Sequence, residues 1–303
     1  LRFPLISWAM ASTPYGATDI NGAPILTEST LSNDLRYGMN RAKISWYQIE
    51  QTLQQYKGNN NPLGGNAAEL SDPRVRAVYQ KEIFPQRTTG FGESQLITFD
   101  LSYYPRDKGP YNFDVSGTSY SAGLEPGGSG KLRNPKSRFG GLMRSLDQTD
   151  FETSNIEFIE FWMQDPFILN PTSTGGKLYF NLGNISEDVL KDGKRFYENG
   201  MPTPNAPAPI TENNWGRVPA NPLQVTNAFS NTPEDRPYQD IGFDGLSDTA
   251  EVNKRQAYLQ DLQATFGIGS QAYRDALSDP SSDDYVNYRD GRFGSNDGIL
   301  ARY

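Results

Sequence analysis

The chain has 303 residues, a formal net charge of −8 and neither His nor Cys. Without Cys it has no disulfide, no thiolate nucleophile and no iron–sulfur cluster, and without His it has no Ser-His-Asp triad and no His-held metal. Any catalysis would have to use carboxylates, Lys, Tyr or hydroxyl groups, and the negative charge disfavours binding to nucleic acid. With 29 Gly, 21 Pro and 12% aromatic residues, the composition indicates an ordered chain with many loops.

Residues 1–90 combine strand and helix patterns and are predicted to form a mixed arm. The apolar run at residues 5–10 predicts a short strand. Apolar residues close to helical spacing predict a helix over residues 41–56, which ends before a run of Gly and Asn. A second short helix is predicted over residues 72–83, because Asp72 is a good N-cap and Pro follows it at the first helical position.

Residues 91–230 predict a jelly-roll-like antiparallel β-sandwich, so the predicted fold class is mainly β with a few short helices and long Pro/Gly-rich loops. Residues 95–104 alternate between apolar and polar side chains, as a half-buried strand does. Residues 156–163 and 177–182 are rich in aromatic and branched side chains and predict two more strands. The six prolines of residues 202–222 predict an extended strap across the sandwich.

Helices are predicted in the second half of the chain as well. Ser186 is a suitable N-cap followed by two acids, and Gly200 ends that helix. Residues 231–303 predict an acidic tail of helices and loops, with helices over residues 250–266 and 271–277. The sequence therefore predicts three parts that divide near residues 90 and 230.

Acidic residues downstream of the strap follow the layout of a calcium-binding EF-hand loop. Asp240, Asp244, Asp248 and Glu251 occupy loop positions one, five, nine and twelve, and Gly245 occupies position six. Carboxylate oxygens are ligands that Ca²⁺ prefers, so these four acids are the predicted metal ligands. A bound Ca²⁺ would order the loop and take no part in catalysis.

Three features depart from an EF-hand. Position three is Gly242, position eight is Ser247, and two prolines precede the loop where a helix should enter. The alternative interpretation is that Asp248 caps the following helix and Glu251 completes a capping box. A second acidic stretch is predicted to be either a solvated loop or another oxygen-ligand site, and its acids are Asp279, Asp283, Asp284, Asp290 and Asp297.

Other residues leave sugar binding or sugar hydrolysis open as alternatives. A carbohydrate-binding β-sandwich module would stack sugar rings on aromatic side chains such as Tyr103, Tyr104, Tyr111, Tyr120, Phe161 and Trp162. A glycosidase without His would need two carboxyls that share a cleft, for which the candidates are Asp107, Asp114 and Asp165. Glu157 and Glu160 lie three apart in a predicted strand and so point to opposite faces. The basic run of residues 131–144 predicts a solvated loop or a surface for an acidic partner.

Eight phrases stand in a consistent order along the chain. They are RAKISWY at 41–47, EIFP at 82–85, DLSYYPRDKGPYN at 100–112, GGLMR at 140–144, TDFETSNIEFIEFWMQD at 149–165, GKLYFNLGNISEDVL at 176–190, WGRVP at 215–219 and QDIGFDGL at 239–246. Together they resemble the SprA/Sov family of Bacteroidetes, the giant outer-membrane translocon of the type IX secretion system, which is also linked to gliding motility.

The resemblance implies a non-enzymatic role and no catalytic residues. Members of that family form a very large transmembrane β-barrel that passes folded cargo proteins to the cell surface, with partner proteins at its side opening and its periplasmic end. The chain starts with Leu1 and is expected to be an excerpt of a longer polypeptide. It lacks the series of strands of about ten residues that a barrel wall needs, so a soluble insertion of the barrel is expected, more on the extracellular side as a cap than in the periplasm.

This interpretation defines the expected partners and the expected surface. The partners would be the rest of the same chain, other secretion-system subunits and secreted cargo proteins, at the outer membrane or cell surface. The sequence has no run of about 18 apolar residues, so it predicts no transmembrane helix. A region that docks against such partners should expose an apolar patch larger than a monomer normally tolerates.

Overall fold

The computed structural model describes residues 7–56, 61–88, 90, 94–146, 150–182, 190, 202–203, 207–221, 234, 242, 244–284 and 286–303. In these ranges the regular elements are six strands, six α-helices and three short 3-10 helices, joined by long loops. The 3-10 helices span Thr27–Thr30, Leu35–Gly38 and Pro135–Ser137.

The described strands pair into three antiparallel sheets of two strands each. The pairs are β1 (Ala9–Met10) with β4 (Leu142–Met143), β2 (Ala42–Tyr47) with β3 (Asp100–Lys108), and β5 (Ile210–Glu212) with β6 (Arg217–Pro219). A sheet of two strands is marginally stable by itself. These sheets therefore depend on the helices and loops that pack against them.

The predicted jelly-roll-like β-sandwich is wrong. Of its three predicted strands, residues 95–104 contribute only in part, because β3 begins at Asp100. Residues 156–163 and 177–182 belong to no helix or strand and form no ladder with any residue that the structure describes. Apolar and aromatic composition favours a strand, but a ladder also needs a second strand whose backbone groups are free to pair, and composition does not supply one.

Strand β2 lies where a helix was predicted over residues 41–56, so that prediction is wrong. Ile44 faces Tyr103 across the β2–β3 pair, and Trp46 faces Leu101. Branched and aromatic side chains opposite one another stabilise a strand pair. That pairing outweighs the helical spacing of the same apolar residues.

The β2–β3 pair contains an irregularity that accommodates a proline. Ala42 pairs with Lys108, whereas the next residue, Lys43, pairs with Tyr104. Pro105 lies in the skipped part of β3, where the missing N–H of proline costs no ladder hydrogen bond.

The three longest described helices confirm the helix predicted over residues 271–277 and divide the one predicted over residues 250–266 in two. They are α3 (Asp248–Lys254), α4 (Gln256–Phe266) and α5 (Gln271–Ser278), the first two meeting at Arg255. The hydroxyl of Ser270 accepts a hydrogen bond from the Tyr273 N–H at 3.2 Å and so caps α5. Leu259 and Leu262 form the buried face of α4.

Shorter helices and the strap differ more from prediction. The one-turn helices are α1 (Ala67–Leu70), α2 (Gln80–Ile83) and α6 (Ile299–Arg302). Within the helix predicted over residues 72–83, all described, only α2 is helical. The helix predicted from Ser186 to Gly200 lies outside the described residues. Of the predicted strap, residues 202–203 and 207–221 are described, and the second range contains the β5–β6 hairpin.

Three clusters of buried apolar side chains form the core. One surrounds Tyr37, Tyr111 and Trp215, and a second packs α4 and α5 against Leu132. The third joins Leu53 and its neighbours to α6. Each cluster draws side chains from more than one of the predicted segments 1–90, 91–230 and 231–303, and the division into those segments stays a prediction. None of the described helices is long and apolar enough to cross a membrane.

Candidate functional site

Three carboxyl groups meet in the interior beside α3. We call Asp244, Glu251 and Asp283 the acidic cluster, because one carboxylate oxygen of each lies within 4.8 Å of those of the other two. Asp244 precedes α3, Glu251 lies in the first turn of α3, and Asp283 follows α5. Asp244 and Glu251 are buried and Asp283 is half-buried. Hard divalent cations such as Ca²⁺ take such oxygen ligands, so the cluster is a candidate cation site.

The acidic cluster is held by hydrogen bonds from Ser281 and Tyr111. The Ser281 N–H donates to Glu251 Oε2 at 2.9 Å, and the Ser281 hydroxyl donates to Asp244 Oδ2 at 3.0 Å. The Tyr111 hydroxyl donates to Asp283 Oδ2 at 2.6 Å and accepts from the Asp244 N–H at 3.2 Å. These bonds join the loop before α3, the first turn of α3 and the loop after α5 to one another and to Tyr111, which follows β3 in the chain.

The guanidinium of Arg255 lies beside the acidic cluster. Its Nη2 is 3.6 Å from Asp244 Oδ2, while its Nη1 donates to the Asn214 carbonyl at 2.8 Å. The guanidinium carbon also lies 4.6 Å from the centre of the Phe113 ring. A single guanidinium cannot neutralise three carboxylates, so the cluster is left with excess negative charge when all three are ionised.

Burial raises the pKa of every carboxyl in the acidic cluster. Desolvation is the main cause in each case, and it raises the pKa of Asp244 to about 6. Desolvation together with the neighbouring Asp244 charge raises the pKa of Glu251 to about 8 and that of Asp283 to about 10. At neutral pH the cluster is therefore neutralised in part by protons, or by a cation that displaces them.

Of the four predicted calcium ligands, the structure brings two together. Asp244 and Glu251 belong to the acidic cluster, whereas Asp248 is exposed at the start of α3 and Asp240 lies outside the described residues. The predicted capping box is wrong, because Ser247 is the N-cap of α3 and no side chain caps it. The Glu251 carboxylate instead accepts the Ser281 N–H.

Sequence reasoning did not place Asp283 with the other two acids. It singled out the stretch that contains Asp283 only as a separate loop or a second site. The signal that links them is Gly242, which has φ +70° and whose added Cβ would lie 1.7 Å from Asp283 Oδ2. The Gly at loop position three, which departs from an EF-hand, leaves the room that Asp283 occupies.

A second feature is a long exposed apolar stretch, residues 156–182, which we call the apolar segment. The exposed fractions of Phe158 and Trp162 are 69% and 75%. The other exposed large apolar side chains in it are Ile156, Ile159, Phe161, Met163, Phe167, Ile168, Leu169, Leu178, Tyr179, Phe180 and Leu182. The rings of Phe161 and Phe180 lie 5.3 Å apart, so the two predicted strands approach each other without forming a ladder.

The aromatic residues proposed for sugar stacking do not form one platform. Tyr111 is buried in the core, and Tyr120 lies under the Arg36 guanidinium, whose carbon is 5.2 Å from the ring centre. Tyr103 and Tyr104 are neighbours on β3 and so point to opposite faces. Both nevertheless line an open surface cavity of about 310 Å³, together with Pro105, Arg106, Asp107 and Lys131.

The candidate hydrolase acids have separate roles. Asp107 forms an ion pair with Lys131 at that surface cavity. Asp114 is fully buried and lies 3.1 Å from Arg138 Nη1, and it does not line the cavity. Arg138 is accordingly no part of a solvated basic loop.

No family model matches the chain, and no curated protein matches it. The resemblance to the SprA/Sov family therefore depends on the eight phrases alone.

Proposed function

We propose that this chain is a non-catalytic structural and docking region of an outer-membrane protein-export channel of the type IX secretion class, which passes cargo proteins to the cell surface. The eight ordered phrases support this proposal. Two of them, at residues 149–165 and 176–190, cover much of the apolar segment. The stretches that resemble the family are thus in part the stretches that expose apolar side chains.

The exposed apolar segment is the observation that carries the proposal. Monomeric proteins rarely expose contiguous apolar patches above about 600 Å², and larger patches mark surfaces that another molecule covers. Trp162 and Phe158 are of the residue types enriched in interface cores. The docked surface would be another part of the same polypeptide, another secretion subunit or cargo, at the extracellular side of the outer membrane.

Calcium at the acidic cluster stays a prediction within this proposal. Asp244, Glu251 and Asp283 would supply its carboxylate ligands. The ion would fix the loop before α3 to the loop after α5, and its role would be structural.

The proposal is tested in the bacterium that encodes the chain, in the full-length gene. We expect Phe158→Ser with Trp162→Ser to lower the amount of cargo protein at the cell surface about tenfold or more, since buried aromatic anchors dominate interface energies. Ile20→Ser is the matched control, because Ile20 is fully exposed and lies outside the apolar segment. Normal export by the double variant, at unchanged channel level, would contradict the proposal.

Carbohydrate binding is the second candidate function, and the cavity beside Tyr103 and Tyr104 is the observation that favours it. Its volume of about 310 Å³ is at the lower end of small-molecule sites. Calorimetry with soluble glycans, comparing the unchanged chain with Tyr104→Ala, tests this candidate. Binding at millimolar concentration or tighter that Tyr104→Ala abolishes would favour it over the docking role.

A further inference from the structure

The first part of the apolar segment, which was predicted to be a strand, has no backbone pairing within the described part of the chain. None of residues 157–164 forms a backbone hydrogen bond with another residue that the structure describes. The chain there belongs to no helix or turn, and the described hydrogen bonds nearby close local turns, as at Asn170 N–H to the Phe167 carbonyl at 2.7 Å. A row of unpaired N–H and C=O groups is a template for pairing with a second strand.

Both faces of this stretch are apolar. In an extended chain Ile156, Phe158 and Trp162 share one face, and Ile159, Phe161 and Met163 share the other. Each face carries one acid, Glu160 and Glu157 respectively. Strands with apolar residues on both faces are typical of sheets that are covered on both sides, whereas strands at a water-exposed surface alternate.

We propose that residues 156–163 are a donor strand that adds to the exposed sheet edge of a protein partner, and that this edge is apolar and flanked by Lys or Arg. The inference rests on the proposed function and deepens it, because it names how the docking region binds. In strand addition, main-chain hydrogen bonds supply affinity and pockets for alternate side chains supply specificity.

Charge identifies the chemistry of the partner edge. Residues 150–176 contain five acids and no Lys or Arg: Asp150, Glu152, Glu157, Glu160 and Asp165. Glu157, Glu160 and Asp165 form no ion pair with any described residue. An apolar surface that approaches these acids must therefore carry basic side chains at its rim.

The same observations disfavour two other partners for residues 156–163, a lipid bilayer and a second copy of this chain. A lipid bilayer cannot satisfy the unpaired backbone groups of a segment outside any helix, and an anionic surface would repel the acids. A second copy of this chain would bring its own Glu157 and Glu160 onto the same strand pair, where like charges destabilise the pairing.

The first test is binding of a labelled probe peptide to the full chain, followed by fluorescence anisotropy. The probe alternates Val and Thr and has Lys at both ends, and a second probe has Glu in place of Lys. We expect the Lys probe to bind and the Glu probe to bind at least about tenfold more weakly. Equal binding of the two probes, or no binding of the Lys probe, would overturn the inference.

Proline variants test the backbone contribution. Successive N–H groups of a strand point to opposite edges, so those of Glu157 and Glu160 serve different edges. Glu157→Pro and Glu160→Pro remove one donor each, and Glu157→Ala and Glu160→Ala are matched controls that keep the N–H. We expect at least one Pro variant to bind the Lys probe at least about tenfold more weakly than its Ala control. Two Pro variants that bind as well as their controls would overturn strand addition.

Two further measurements test the two other possible partners, a second copy of the chain and a lipid surface. In sedimentation of the chain alone, we expect a monomer, and any dimer that forms should persist in Trp162→Ser. Vesicles of phosphatidylcholine or phosphatidylglycerol should bind the unchanged chain no better than they bind Trp162→Ser. A dimer or vesicle binding that depends on Trp162 would overturn the proposed protein partner, in favour of a second copy of the chain or of a lipid surface. If the peptide tests succeed while Phe158→Ser with Trp162→Ser leaves export normal, strand addition stands and the export role fails. If the peptide tests fail while Phe158→Ser with Trp162→Ser impairs export, strand addition fails and the export role stands.

Discussion

The hydroxyl of Tyr111 donates a hydrogen bond of 2.6 Å to Asp283 Oδ2, although the two residues lie 172 positions apart in the sequence. Tyr111 is held at its backbone as well, where its N–H donates to the Ser281 carbonyl at 2.7 Å with φ at +59°. One residue thus fixes the loop after α5 through both its main chain and its side chain. The acidic cluster depends on this contact for its shape.

Tyr111→Phe should destabilise the chain by about 1–3 kcal/mol, measured by denaturant unfolding. The variant leaves the Asp244 N–H without its acceptor and Asp283 without its donor, and buried groups that lose a partner carry that cost. Tyr104→Phe is the matched control, because Tyr104 is exposed on β3 and should change stability by less than about 0.5 kcal/mol. Equal effects of the two substitutions would contradict this assignment.

Glu251 should make stability fall as pH rises. In the unfolded chain its carboxyl titrates near the ordinary pKa of 4.5, whereas in the folded chain the pKa is about 8. Between these values the folded chain binds more protons than the unfolded chain, so the free energy of unfolding decreases from about pH 4.5 to about pH 8. Glu251→Gln should flatten this decrease and be more stable than the unchanged chain near pH 8.

Denaturant unfolding in the presence of a chelator, near pH 5 and near pH 8, measures this effect. Glu152→Gln is the control, because Glu152 is an exposed acid away from the acidic cluster. A decrease of the same size in Glu251→Gln and in the unchanged chain would show that Glu251 is not its source.

Calcium should raise the thermal midpoint if the acidic cluster binds it. At one hundred times its dissociation constant a ligand adds about 2.7 kcal/mol of stability. The gain should disappear in Asp283→Asn with Glu251→Gln and persist in Asp248→Asn, since Asp248 lies outside the cluster. A midpoint that is the same with calcium and with chelator would show that the cluster binds no calcium, which leaves Arg255 and protons to neutralise its charge.

Local pattern predicted the helices after residue 247 but not those of the first ninety residues, where strand β2 replaces one predicted helix and a single turn replaces most of another. For α5, the Ser270 cap and the apolar spacing lie within a few residues of each other. Alternation predicted a strand over residues 95–104, which overlaps β3 only from Asp100, and the partner of β3, residues 42–47, was assigned to a helix. The sandwich failed for the same reason, because strand pairing depends on which distant segments meet, and local composition does not record that choice.

The candidate site divides in the same way. Asp244 and Glu251 follow from the spacing of acids around Gly245, which has φ +68° and makes the turn. Asp283 joins them only because the chain returns after α5 to the start of α3. Sequence named Trp162 only as a candidate for sugar stacking or a core strand, and it did not identify which residues would form the apolar patch expected of a docking region.

Arg138 should be among the most costly positions in the described chain to change. Its side chain is fully buried, and it donates to the Met39 carbonyl at 2.8 Å and to the Gly123 carbonyl at 2.9 Å besides its ion pair with Asp114 at 3.1 Å. Arg138→Met removes the ion-pair partner of the buried Asp114 carboxylate and leaves Lys108 as its neighbouring cation, so we expect a loss of about 3–5 kcal/mol in denaturant unfolding.

Two comparisons separate the charge from the packing at this position. Lys136→Met is the control in the same loop, because Lys136 is exposed and should be within about 0.5 kcal/mol of the unchanged chain. Asp114→Leu added to Arg138→Met should recover part of the loss, since removing both charges of a buried pair is often close to neutral. If the double variant is less stable than Arg138→Met alone, the hydrogen bonds to the two carbonyls, and not the ion pair, account for the role of Arg138.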